Sequence, residues 1–444
     1  MGRTGDMTAG HPVKLILRFA VPLFIGNIFQ QIYSMVDTMI AGYTLGDAAI
    51  GAIGATTSVY SLLINLAIGL NNGYAIVVSQ AFGAKDREGL KRSLAAMAVL
   101  DAAASAVLTL ASLLLIRPLM RLLQVPENIF ADAHLYICVL IAGMAANVLY
   151  NMFAGIMRAV GNSRTPLYFL ILACLLNLGL DVLFVVGFRW GVGGAAGATV
   201  IAQCCSALLS GLYVAARYRD LLPEREHFRL RLPVLREMAS YGFSMAAMYC
   251  VVDMGSVLYQ RAINGLGELL IVAHTSARRL ISIFMLPLGS IATAYSTFVG
   301  QNWGAGRRDR VKQSLMSVMA MEVGWGVFSC AFIYLFGGAA VRLLTNTSDP
   351  EVLKNAVLSL RIHLVCYPAL GILLALRTAL QAMGHRIAPV ISSLFELGIK
   401  IISGIWLIPA FGYLCACLTE PVIWTVCMVF LILIFWIRKP LDQE

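Results

Sequence analysis

The sequence predicts an all-α membrane protein, with about twelve transmembrane helices in two parallel six-helix repeats. Three observations lead there. The first is composition: 59% of residues are hydrophobic, 13% are charged, and the mean hydropathy is +0.81. A soluble domain carries about 25% charged residues, so this chain lacks the charge to cover a water-facing surface. The second is the form of the apolar runs, which extend for roughly 20–30 residues without alternation. Lipid requires every backbone polar group to be satisfied within the spanning segment or a closed barrel, and uninterrupted runs of that length read as helices. The third is an internal repeat.

In chain order, apolar periodicity places helices at about 15–41, 50–80, 91–116, 131–157, 166–188 and 192–217. A polar, charged stretch with Pro223 and Pro233 follows. Six more helices are expected at about 233–262, 269–300, 314–338, 354–381, 388–410 and 412–437. The organisation expected is a lobe over 1–217, a linker over 218–232 and a second lobe over 233–444.

The repeat is visible by eye. SQAFGAKDREGLKRSL (79–94) matches GQNWGAGRRDRVKQSL (300–315), pairing Gln80 with Gln301, Gly83 with Gly304 and Lys91 with Lys312, all 221 positions apart. The same ungapped offset pairs Gly46 with Gly267 and Asp47 with Glu268. MRAVGNSRTP (157–166) matches LQAMGHRIAP (380–389) at an offset of 223. Each half therefore holds six helices, and both halves point the same way. Secondary transporters use this plan; a channel or receptor has no need of it.

The net charge of +10 belongs to short loops rather than to a nucleic-acid face. One set of loops holds Lys85, Arg87, Lys91, Arg92, Arg158, Arg164, the basic residues of 217–236, Arg307, Arg308, Arg310, Lys312 and Arg386. The opposite loops hold fewer, among them Arg117, Arg121, Arg189, Arg342 and Lys354. This asymmetry predicts a multi-pass protein of the cell membrane with both termini and the central linker in the cytoplasm. No cleavable signal peptide is expected, because the first apolar run is a full span. All ten cysteines lie in apolar segments without metal-ligand spacing, and no metal site is expected.

Polar residues inside the spans are the candidates for chemistry. Asp37 lies deep in the first helix, where a carboxylate costs roughly 2.5–3.5 kcal/mol. Asn27, Gln30, Tyr33 and Ser34 share its face, so that helix has one polar stripe aimed at a cavity or the bundle interior. Apolar surroundings favour the neutral form of a carboxyl and suit it to taking up a proton. The plainer role is a structural acceptor between helices. Asn177 and Asp181 sit i,i+4 on the fifth helix, with Asp181 alternatively an anchor near a helix end. Asn151 and Thr199 are further polar residues in apolar runs. Carboxylate, amide and hydroxyl oxygens together suit H⁺ or Na⁺, and no other cofactor is expected.

The second half is not an electrical copy. Leu258 pairs with Asp37 and Gly404 with Asp181. It carries Asp253, which fits either a cavity or a structural hydrogen bond. It also carries Glu396 and Lys400, an i,i+4 pair read mainly as mutual neutralisation. Pro22 and Pro287 interrupt the first and eighth spans and allow bending, though membrane helices tolerate proline in any case. No nucleotide loop GxxxxGK(S/T), no HExxH and no GxSxG occurs, and the six histidines are scattered singly, so an enzyme is not expected.

Over nearly its whole length the chain resembles the multidrug and toxic compound extrusion (MATE) family, in its DinF-like branch. The resemblance rests on Pro22, Asp37, Gly42 and Gly46 in and after the first helix. It rests also on the repeated Q-x-x-G-A at Gln80 and Gln301, on Arg158, Gly161, Asn162, Arg164 and Pro166, and on Asn177 with Asp181. What it implies is two six-helix lobes exporting amphipathic, often cationic, compounds against inward H⁺ or Na⁺. It also implies a cation site in the first lobe at Asp37, Asn151, Asn177, Asp181 and Thr199. Other branches place an acid on helix 7, from whose register Asp253 is one residue out, and an acid after helix 10, where His385 stands.

The expected function is a secondary antiporter working by alternating access. A cation or proton bound at Asp37 and Asp181 bends the first helix and displaces cargo. Gln30, Tyr33, Ser34, Asp253 and Glu396 are the candidate cavity residues. The expected partners are the lipid bilayer and a small-molecule cargo, with no nucleic acid, and function as a monomer. The alternatives are a narrow-substrate exporter, a lipid-linked precursor flippase of the same superfamily, and a major-facilitator-type transporter. The last is disfavoured because the loop after the second helix departs from the G-x-x-x-D-R-x-G-R spacing.

Overall fold

A computed structural model describes residues 5–345 and 349–441; the side chains of Thr38, Ala41, Asp47, Leu344 and Thr345 lie outside the described set. The helices are α1 (Pro12–Leu45), α2 (Asp47–Gly83), α3 (Arg87–Leu122), α4 (Glu127–Ala142), α5 (Met144–Ala159), α6 (Arg164–Asp181) and α7 (Gly191–Arg217). Then follow α8 (Leu232–Asn264), α9 (Glu268–Gly304), α10 (Arg308–Thr345), α11 (Pro350–Val365), α12 (Tyr367–Ala382), α13 (Ile387–Ile402), α14 (Ile408–Phe411) and α15 (Tyr413–Arg438). Among the described residues ten helices are long and apolar enough to cross a membrane, and two bent pairs bring the number to twelve.

The sequence expectation places single helices where these bent pairs occur. α4 and α5 meet at 42°, and α11 and α12 meet at 47°. Pro368, without a backbone N–H, follows the second break at Cys366. The first break is at Gly143, where a Cβ would run into Val200. The breaks are 223 positions apart, so the repeat extends to the bends. It extends also to the next span: α6 passes into a π-helical turn at Val182–Gly187, and α13 does so at Ser403–Leu407. Gly46 and Gly267, one repeat apart, precede α2 and α9 with φ of 79° and 100°, a region that a side chain disfavours.

By contacts the chain divides into two compact units. The first comprises Met1–Asp6 and Val21–Ala246, the second Met7–Ala20 and Ala247–Glu444. In the first unit, α2, α3, α5 and α7 surround a core that includes Tyr74, Met97, Met152 and Met157. The charged stretch after α7 docks here as well. Glu224 accepts a 2.5 Å bond from Lys91, and the buried His227 lies 3.2 Å from Glu88. In the second unit, Tyr259, Ile263, Ile408 and Tyr413 form part of the core.

The repeated glutamine has a structural role in each unit. In the second unit the Gln301 side chain accepts a 2.9 Å bond from Met7 N–H, and Asn302 donates to Met7 C=O at 3.1 Å. In the first unit Gln80 donates to Tyr241 Oη at 3.3 Å. Each copy thus grips the chain leading into, or lying within, the first helix of a repeat. α2 and α8 come close enough at this level that a side chain at Gly73 would strike the backbone of Tyr241 and Gly242. Backbone cannot move aside as a side-chain tip can. Gly73→Val is expected to destabilise the protein by about 1–3 kcal/mol or more, read as a lower unfolding midpoint in detergent; an unchanged midpoint would refute this close packing.

Candidate functional site

The first unit gathers polar groups from four helices. Asp37 and Tyr33 come from α1, Asn177 and Asp181 from α6, Thr199 from α7 and Tyr136 from α4. Asn177 is the hinge of the cluster: its carbonyl oxygen accepts from the Tyr33 hydroxyl, and its amide donates to Asp181 Oδ2 at 3.0 Å. Asp181 is 1% exposed and Asn177 4%. The Asp37 carboxyl, half-buried, lies within interaction range of Asp181, and Tyr136 faces both acids. Thr199 lies beside Tyr33 and donates its hydroxyl to Ala195 C=O at 3.1 Å.

Local structure explains how these residues meet. Asp181 is the last α-helical residue before the π turn at 182–187, and such turns shift side-chain register by one residue. Oδ1 of Asp181 is buried without a hydrogen-bond donor. Two carboxylates side by side in apolar surroundings repel unless a proton or cation joins them. The cluster offers carboxylate, amide and hydroxyl oxygens for that purpose, and among the described residues no basic side chain acts on either acid.

The remaining sequence candidates make the following contacts. Asn151 donates to the carbonyl and side-chain oxygens of Asn147 at 2.9 and 3.0 Å, one turn back on α5. Gln30 and Ser34 are exposed on α1, and Asp253 is half-buried on α8. Glu396 pairs with Lys400 at 2.9 Å, and Lys400 also donates to Ser256 at 3.1 Å. Gly255 makes room for that lysine, since a Cβ there would lie 2.8 Å from Lys400 Cδ. A cleft of about 660 Å³ lined by Lys85, Asp86, Arg87, Arg217 and Asp220, among others, shares no residue with the acid cluster.

Several buried groups escape the sequence reading. Asp101 on α3 is 1% exposed and accepts from Asn71 at 3.1 Å. Glu322 on α10, 221 positions later, is fully buried. The repeat offset could have found this pair. In the second unit Arg278 and Glu420 form a 2.5 Å ion pair, with His363 Nε2 3.6 Å from the same carboxylate. His363 Nδ1 lies 2.7 Å from Ser359 C=O and so carries the proton. His274 packs between Tyr259 and Tyr413. A scan for charged and histidine residues inside apolar runs would have flagged all of these.

The sequence profile of the MatE family matches twice, over residues 22–183 and 244–406. The chain belongs to the MATE family. Its two matches coincide with the two halves of the internal repeat. The probable multidrug resistance protein YpnP of Bacillus subtilis is 28% identical over 395 residues, covering 88% of this chain and 87% of that protein. A FAD transporter of Shewanella oneidensis is 25% identical over 391 residues, covering 86% and 85%. A crystal structure of MATE in the bent conformation superposes with a TM-score of 0.90 at 21% identity, over all of this chain and 98% of the other. As a MATE protein the chain is a multi-pass multidrug efflux transporter acting on small molecules, and it is not of the major-facilitator type. The family transports rather than catalyses.

Proposed function

We propose that this MATE transporter exports amphipathic, cationic compounds in exchange for H⁺ or Na⁺, with Asp37 and Asp181 as the coupling pair. The observation that supports this is the meeting of the two acids, 144 positions apart, with Tyr33, Asn177 and Thr199 around them and no counter-charge among the described residues. A bound proton or cation removes their repulsion, and its release restores it. Asp37 sits on α1, which Pro22 interrupts, so a change in charge at Asp37 acts on a helix able to bend. Alternating access then follows from which state of the pair each side of the membrane favours. Asn177 and Tyr33 orient Asp181. Gln30 and Ser34, exposed on the same helix, are cavity residues in this reading. Basic loops put both termini and the central linker in the cytoplasm of the cell membrane.

The test is efflux of a fluorescent lipophilic cation from proteoliposomes, with ΔpH and ΔNa⁺ imposed separately. Transport driven by one gradient supports the antiport reading and names the ion; transport indifferent to both overturns it. Tags at the termini and near Pro223 are expected to be reached only from the cytoplasmic side, and an external signal would reverse the orientation. A narrow-substrate exporter is the second reading, because one relative bears the name of a single cargo, FAD.

A further inference from the structure

Helix α9 carries a polar face that the coupling site does not use. Thr275, Arg279, Ser282 and Thr293 are all exposed and fall within about 60° of one another at 3.6 residues per turn. A face turned to lipid would be apolar at this depth, since an arginine there is costly. Ser282 and Thr293 give their hydroxyl protons to Arg279 C=O and Gly289 C=O, at 2.8 and 2.9 Å. Those two hydroxyls are satisfied within the helix, and Arg279 is the group on this face that requires water or a polar partner.

Arg279 stands out on it. Among the described residues no acid lies within ion-pair distance of its guanidinium, and no side-chain hydrogen bond engages it. Other charges of the second unit have partners. Arg278 holds Glu420, Lys400 holds Glu396, and Arg361 lies 5.0 Å over the Tyr334 ring. The repeat makes the point sharper. The ungapped offset of 221 aligns α9 with α2 and pairs Arg279 with Ser58, Ser282 with Ser61 and Thr293 with Asn72. Ser58 and Ser61 are exposed as well. Both halves keep a polar face at this position, and only the second charges it. The first unit brings two acids together, and the second presents a cation that pairs with no described acid.

We propose that Arg279 receives an acidic group of the cargo, so that the molecules carried include amphipaths bearing a carboxylate or phosphate. A guanidinium presents a planar fork of donors that takes both oxygens of such a group. Ser282, one turn along with its proton already committed, keeps the fork's surroundings polar. This rests on the reading of the chain as an exporter of amphipaths, and adds to it a determinant of cargo choice. The same chemistry has a second source in a phospholipid headgroup, reached by a snorkelling arginine.

The experiment uses the full chain in nanodiscs and two forms of one rhodamine dye. The methyl ester is a lipophilic cation, and the free acid adds one carboxylate. Binding is followed by fluorescence anisotropy. The wild type is expected to bind the free acid at least about tenfold more tightly than the ester, the scale of one charge-assisted bidentate contact. Arg279→Gln is expected to bind both forms alike, with ester affinity and unfolding midpoint unchanged. Arg279→Lys keeps the charge without the fork and is expected to retain part of the preference, which maintains the test if the glutamine variant does not fold. A wild type without preference, or a preference that survives Arg279→Gln, overturns the proposal. Native mass spectrometry supplies the other arm. Phospholipid retained by the wild type and lost in Arg279→Gln, with the two dyes bound equally, assigns the arginine to a headgroup and likewise overturns the cargo role. Binding preference is independent of gradient-driven transport, so failure of the antiport reading would be seen separately.

Discussion

Asparagine at Asp37 or at Asp181 is expected to reduce gradient-driven transport by about 100-fold, the kinetic equivalent of the roughly 2.5–3.5 kcal/mol that a charge represents at membrane depth. The amide keeps the size and polarity of the carboxyl but can neither release a proton nor present a negative charge to a cation. The fold should survive, because a neutral group in this cluster removes a repulsion instead of breaking an ion pair. Cargo binding measured without a gradient should therefore be reduced much less than transport. Asn177→Ala should act more weakly in the same direction, since it frees both the Tyr33 hydroxyl and Asp181 Oδ2 from the partner that orients them. Vesicle efflux with matched expression provides the readout. Full transport by Asp37→Asn would remove Asp37 from the coupling step and leave the cluster as a structural contact.

The second large effect concerns stability. Arg278→Ala leaves Glu420, whose side chain is 11% exposed, without its ion-pair partner and with His363 3.6 Å away. Breaking one side of a buried pair typically costs about 3–5 kcal/mol, and because Arg278 is itself 41% exposed the lower end, about 3 kcal/mol, is expected. Arg278→Ala combined with Glu420→Gln should recover most of the loss, because the uncompensated charge is then gone. A double-mutant cycle on unfolding midpoints measures the coupling. Strict additivity of the two substitutions would mean that the pair contributes nothing beyond its separate side chains.

How much of this could be seen in the sequence varied with the kind of contact involved. Helix positions follow from local composition, and the apolar runs show them. The structure lengthens most of the helices at one or both ends, as in α3, which runs over 87–122 against an expected 91–116. The extensions are polar turns that stand beyond the apolar stretch, held by caps such as Asp86, which accepts from Gly89 N–H at 2.9 Å. The apolar runs do not show the bends at Gly143 and Cys366. A break in hydrogen bonding within a uniformly apolar run leaves only a glycine in one copy and a proline in the other.

Within the polar clusters, sequence spacing revealed neighbours on one helix. Asn177 with Asp181, and Glu396 with Lys400, are i,i+4 pairs and meet in the structure. Asn151 also bonds one turn back on its own helix, its amide donating to Asn147. Asp101 and Glu322 are aligned by the repeat, and Arg278, His363 and Glu420 each stand out as charged or histidine residues in apolar runs, but the meeting of those three is not legible because three separate helices supply it.

The sequence by itself determined that lipid is the solvent, that the spans are helices, and that one six-helix unit occurs twice, because hydropathy, helical period and repetition are all written along the chain. Only the tertiary structure decided that Asp37 meets Asp181, that Arg278 is matched by Glu420, and that no described acid pairs with Arg279. Those outcomes depend on which faces of distant helices pack together, and the energy that selects among them belongs to the assembled bundle rather than to any segment of it.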